Sequence, residues 1–291
     1  MRSILGLGLL IISLNLIGQD ITFLNGNWQF KRQGDEKWLP ASVPGTVHQD
    51  LMRNGIIEDV YFENNAQAYQ WIENDNWLYQ TQFEIKESTP AQTLVFEGLD
   101  TYAKVYLDGS LALEANNMFR TWELDLMALK PGTHSLRVEF ISPYRQLEEK
   151  VKAYPVALPA GSEEGELKAS PFCRKAAYHF GWDWAPRIVT AGIYRKVYLR
   201  SQKPYIRKVS TEVLAIRDST VFVQWNYDIV GAGEGYQIEL QSQRFDLEVI
   251  PNARSQYAPI VKAIRKARLW WPHSHGEPYL YRDTLRLFKE S

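Results

Sequence analysis

The sequence has one cysteine, Cys173, so no internal disulfide can form and stability has to come from burial. Charge of one sign is lacking too: the net charge is −1, with acids and bases interspersed. That leaves no electrostatic footprint for nucleic acid or an anionic membrane, and neither is expected as a partner. A membrane span needs about 20 apolar residues, whereas the run Ile4 to Ile17 is interrupted by Ser13 and Asn15 and meets Gln19 and Asp20. Phosphate-cradling loops, nucleophile elbows and paired-cysteine metal sites are missing. His273 and His275 flank Ser274 with no carboxylate pattern nearby, so they read as surface or hydrogen-bonding histidines, and no metal or cofactor is expected.

What is present begins with a leader. Arg2 followed by the short apolar run has the pattern of a signal peptide over residues 1–18, cut after Gly18, which implies a secreted or periplasmic protein. Leu16, at the minus-three position, is bulkier than such a cut usually has. Roughly 270 residues follow, enough for two domains of ordinary size. Aromatic residues reach 13%, with ten tryptophans. Such rings either fill sandwich cores or stack on sugars, and composition does not separate the two uses.

Alternation of period two recurs. Trp77, Tyr79, Thr81, Phe83 and Ile85 share one face, against Leu78, Gln80, Gln82 and Glu84, which predicts a half-buried strand. Leu136, Val138 and Phe140 alternate with Arg137 and Glu139, and Val105 and Leu107 precede Asp108-Gly109, a dipeptide suited to a type I′ hairpin. Further strands are expected at Thr93 to Phe96, Thr121 to Leu126 and Tyr194 to Leu199. Helices are few: one capped by Thr46 and Gln49 and ended by Gly55, another opening at Ser142-Pro143 and burying Tyr144, Leu147 and Val151. Tyr154 to Ala169 lacks periodicity and reads as a surface loop, in which Glu163, Glu164 and Glu166 are expected to be solvated.

Pro204 breaks the strand pattern, and a new alternating set begins with Val221, Val223, Trp225, Tyr227 and Ile229. The expected organisation is all-β: a jelly-roll sandwich over residues 20–202, then a smaller immunoglobulin-like sandwich over residues 203–291.

The densest segment runs from Arg174 to Arg195, RKAAYHFGWDWAPRIVTAGIYR. Asp183 lies between Trp182 and Trp184, after Gly181 and before Pro186, without the alternation of a buried strand. A carboxylate can accept hydrogen bonds from two adjacent sugar hydroxyls while an indole walls the ring's C–H face. The same residues can equally anchor a sandwich corner, with Asp183 capping backbone amides.

Several long motifs together carry a resemblance: GWDWAPRIVTAGIYR, the stretch Val43 to Tyr79, FEGLDTYAKVYLDG, NMFRTW, and LWWPHSHGEPYLY near the end. In this order they are similar to the N-terminal region of β-mannosidases of glycoside hydrolase family 2. The resemblance implies a galactose-binding-like jelly roll and an immunoglobulin-like domain preceding a catalytic (β/α)8 barrel. That barrel would supply an acid/base and a nucleophile glutamate for a retaining mechanism. A barrel needs at least about 200 residues, so the catalytic pair is expected outside this sequence, its immunoglobulin-like part is expected to be truncated, and the chain alone is expected to be inactive. By the same resemblance Asp183 is the substrate ligand, with Trp182 beside it and His179 and Trp184 as further candidates. A glycan bearing β-mannose and the absent barrel are the implied partners. Trp71, Trp77 and Trp122 are read as core or interdomain packing, and Arg174 and Lys175 as partners of acids across an interface. A free-standing lectin-like module built on the same two sandwiches is the alternative.

Overall fold

The computed structural model describes residues 21–86, 92–126, 129–164, 167–201, 204–232, 235–250 and 259–289. The expected leader at residues 1–18, Glu166, and the chain's last residues lie outside that set.

The chain divides into two compact units, with the division between Ser201 and Gln202. The first contains β1 (Ile21–Phe23), β2 (Gln29–Arg32), β3 (Leu39–Pro40), α1 (Val47–Arg53), α2 (Asn65–Ala68), β4 (Trp77–Ile85), β5 (Gln92–Phe96), β6 (Tyr102–Leu107), β7 (Ser110–Asn116), β8 (Trp122–Asp125), β9 (Gly132–Ile141), α3 (Pro143–Ala153) and β10 (Val197–Ser201). They form a four-stranded sheet, β1-β10-β5-β8, and a six-stranded sheet, β3-β2-β4-β9-β6-β7. Every strand pair is antiparallel. The inward faces meet in one core that includes Phe30, Tyr79, Leu94, Phe96, Val138 and Phe140. Each such side chain contributes about 1.5–3 kcal/mol by leaving water.

Local sequence explains the frame. In β4 Trp77, Tyr79, Thr81, Phe83 and Ile85 are buried and the residues between them face outward. Asp108 and Gly109 both have positive φ, at 49° and 82°, which is the type I′ geometry that joins β6 to β7. Thr46 and Gln49 close a capping box on α1, and Ser142 Oγ accepts from Arg145 N at the start of α3. Asp50, fully buried, ties α1 to the sheet by accepting from Tyr79 Oη at 2.8 Å and Ser42 N at 2.9 Å.

Three expectations shift. The strand expected at Tyr194 to Leu199 lies at Val197–Ser201, and Tyr194 stands outside it, its hydroxyl donating to Met118 O. Glu163 is buried rather than solvated: it accepts from Ala169 N and Ser170 N at 3.0 Å and from Tyr144 Oη at 3.2 Å. Lys175 pairs with Asp100 inside the first unit, not across an interface.

The second unit holds β11 (Tyr205–Arg217), β12 (Thr220–Val230), β13 (Tyr236–Ser242), β14 (Phe245–Ile250), β15 (Ile260–Ile264) and β16 (Asp283–Lys289). Two three-stranded antiparallel sheets, β11-β12-β15 and β14-β13-β16, bury Trp225, Ile229, Ile238 and Leu240. Trp225 Nε1 donates to Asp283 Oδ2 at 2.9 Å, and Ser242 Oγ to Asp283 Oδ1 at 2.7 Å.

Candidate functional site

The segment from Ala177 to Val189 folds back on itself. After a 3₁₀ turn at Ala177–Phe180, Gly181 adopts a φ of 108°, and a β-carbon there would stand 3.0 Å from Ser162 O. The positive φ favours glycine here, and any side chain would also crowd the Ser162 carbonyl. Trp182 and Ala185 then exchange two backbone hydrogen bonds of 3.2 Å, and Ile188 N donates to His179 O at 3.0 Å. The result is a tight hairpin with Asp183 and Trp184 at its tip.

Both indoles face solvent, Trp182 at 44% and Trp184 at 82% exposure, and they meet edge to face at 5.9 Å. A corner anchor would bury them. Asp183 accepts from Ser162 Oγ at 3.1 Å, and no backbone amide among the described residues caps it. Its second oxygen is left as an acceptor.

One wall of a cleft of about 300 Å³ is formed by Trp182, Asp183 and Arg187, and the other by Asn64, Gln67 and Gln70 around α2. Arg187 is fixed by pairing with Glu73, by donating to Glu164 O at 2.9 Å and by lying over the Tyr144 ring at 5.3 Å. The cleft thus offers an indole, the Asp183 carboxylate, the Arg187 guanidinium and planar amides to one ligand, with Glu63 and Glu164 also in its lining. Trp184 and His179 do not line it. His179 is half-buried at the hairpin's base, its Nδ1 2.8 Å from Thr190 Oγ1.

Beside His179 lies a buried polar cluster. Lys175 Nζ contacts both carboxylate oxygens of Asp100 at 2.5 Å and Thr190 O at 2.8 Å. Burial first, then the Lys175 charge, lowers the pKa of His48 and of His179 to about 4. Cys173 is buried and free, its thiol pushed up to about 11 mainly by burial. Trp77 is buried, donating from Nε1 to Ile72 O at 3.0 Å, and Trp71 and Trp122 pack against the same core. His273 and His275 are exposed, and no cluster of His, Cys, Asp and Glu among the described residues could hold a metal ion.

Sequence pattern gave no signal for Ser162, the amide wall or Thr190. Ser162 stands 21 residues from Asp183, and only the folded loop brings the two together.

A family model described as glycosyl hydrolase 2 galactose-binding domain-like matches residues 28–195. The chain belongs to the glycosyl hydrolase 2 family. Among similar proteins, the β-mannosidase B of Emericella nidulans is 33% identical over 283 residues, covering 92% of this chain and 33% of that protein. The β-mannosidase B of Aspergillus oryzae is 32% identical over 284 residues. The chain spans about a third of the length of these curated relatives. The crystal structure of a β-D-mannosidase from Dictyoglomus thermophilum superposes with a TM-score of 0.79 at 32% identity, covering 93% of this chain and 34% of that one. A β-glucuronidase from the same organism, at 16% identity and a TM-score of 0.53, shares the fold alone. The chain is all-β, and its architecture is that of the galactose-binding-like and immunoglobulin-like sandwiches of this glycosidase family.

Proposed function

We propose that this chain is the N-terminal, non-barrel portion of an exo-acting β-mannosidase, exported to the periplasm or secreted, which releases terminal non-reducing β-D-mannose. The observation that carries the proposal is the solvent-facing Trp182–Asp183–Trp184 tip on the rim of a polar cleft, in a chain similar to β-mannosidases over nine-tenths of its length.

In this reading Asp183 is the hydroxyl ligand. Its carboxylate is oriented by Ser162 and accepts from two adjacent hydroxyls of the mannose, while Trp182 covers an apolar face of the ring. Trp184 and His179 add contacts from the tip and the base of the hairpin. None of these groups exchanges a proton with the scissile bond. Their work is to orient and desolvate the sugar, which converts binding energy into correct alignment. Bond cleavage is left to two glutamates of a barrel beyond this sequence, acting with retention through a glycosyl-enzyme.

The test is hydrolysis of an aryl β-D-mannoside by the full-length gene product, with the anomeric configuration of the first product followed by NMR. Release of β-mannose is expected. An inverted product, or preference for another glycoside, would overturn the reading. The chain of 291 residues, assayed alone, should give no turnover above buffer.

A further inference from the structure

A count of donors and acceptors decides which nitrogen of His179 carries the proton. Lys175 Nζ is fully buried and lies 2.5 Å from both oxygens of Asp100, so Asp100 is a carboxylate and can only accept. Thr190 Oγ1 stands 2.6 Å from Asp100 Oδ2. Two oxygens at that separation need a hydrogen between them, and the hydrogen available is that of the Thr190 hydroxyl. Thr101 Oγ1 donates to the other oxygen, Asp100 Oδ1.

With its one hydrogen committed to Asp100, Thr190 offers His179 only lone pairs. His179 Nδ1, 2.8 Å away, must donate. Lys175 also contacts Thr190 O at 2.8 Å and Thr190 Oγ1 at 3.1 Å, which pins the hydroxyl in this orientation. A neutral imidazole has a single N–H, and burial keeps this ring neutral near pH 7. Nε2 is therefore a bare acceptor. It has no partner among the described residues and is not one of the sealed, unpaired polar atoms of the core, so it is not closed off from solvent.

We propose that Thr190, held by Asp100 and Lys175, is a positioning residue that fixes His179 as the Nδ1–H tautomer, so that Nε2 accepts a hydrogen bond from a hydroxyl of the bound glycan. This rests on the glycan reading of the hairpin that His179 begins.

The first test uses the chain itself, labelled with ¹⁵N at histidine, because the two tautomers place the protonated-type nitrogen shift on different ring positions. At pH 7 the His179 spectrum should show Nδ1 protonated and Nε2 bare. An Nε2–H spectrum in the wild-type chain overturns the proposal without any variant. Thr190→Val should release the ring into a mixture of tautomers, and Thr190→Ser, which keeps the hydroxyl, should restore Nδ1–H.

The second test is binding of methyl β-D-mannopyranoside to the full-length protein. Thr190→Val should weaken it about three- to tenfold, the worth of one neutral hydrogen bond, with Thr190→Ser near wild type. Equal binding by wild type and Thr190→Val overturns the positioning role. If the wild type itself does not bind, the glycan reading fails, while the tautomer result still stands or falls on the spectrum.

Discussion

Asp50 contributes more to the first unit than its sequence position suggests. Its side chain is wholly buried, yet it accepts from Tyr79 Oη, Ser42 N and Arg53 Nη1 at 2.8, 2.9 and 3.1 Å. Asp50→Ala would leave the Tyr79 hydroxyl and the Ser42 amide without partners in the core. A loss of about 3 kcal/mol is expected, measurable by urea unfolding. His48, two residues before Asp50 in α1, gives the unit a pH response. Its folded pKa of about 4 lies below the ordinary 6.5, so above pH 6.5 both folded and unfolded states are neutral there and stability is full. As pH falls from 6.5 toward 4 the unfolded chain takes up a proton that the folded one refuses, and roughly 3 kcal/mol is lost from this group alone. Lys175, Asp100 and His179 are the charged and titratable groups that face it. Asp50 and Glu73, raised by burial, act in the opposite sense, so the histidine part is read by difference. His48→Gln should make the melting-temperature profile between pH 4 and 6.5 less steep, the remaining histidine part coming from His179, whose pKa is lowered to the same value. An unchanged slope would contradict the assignment. None of this was legible in the sequence, because Asp100 and Lys175 are 75 residues apart and no local period connects them.

At the scale of elements, legibility followed the period of the side chains. Strand β4 was readable because one face is core and the other solvent, and β12 repeats the same alternation. Strand β11 was not readable: most of its residues are exposed on both faces, so no alternation marks it. The α2 turn and the 3₁₀ turn Gln70–Asn74 were missed for another reason, since they are too short for a helical period to register. The hairpin around Asp183 was recognisable as a shaped loop, but the loop that orients it was misread, because an acid-rich stretch ordinarily signals solvent. Glu163 instead staples that loop through two backbone amides and Tyr144, next to the Ser162 that holds Asp183. Glu163→Ala should therefore cost about 1–3 kcal/mol and make the stretch between Tyr154 and Phe172 the first point of attack in limited proteolysis. Cleavage elsewhere, with that stretch still protected, would show that the staple is not what orders it.

For the whole molecule, similarity to β-mannosidases extends over 92% of the chain and a third of the length of those proteins. The first unit carries the cleft rim, and the central claim of the proposed function is that Asp183 binds sugar there and does not hold the fold. Kinetics and melting of Asp183→Ala and Asp183→Asn in the full-length enzyme, measured side by side, test that claim most directly. Asn keeps the shape but turns part of the acceptor into a donor, whereas Ala removes the contact. The account predicts a fall in kcat/KM of roughly ten- to two-hundredfold, the range expected for a charged hydrogen bond lost from a desolvated site, with the melting temperature near that of the wild type. Normal kinetics, or a melting temperature that falls in step with activity, would contradict it.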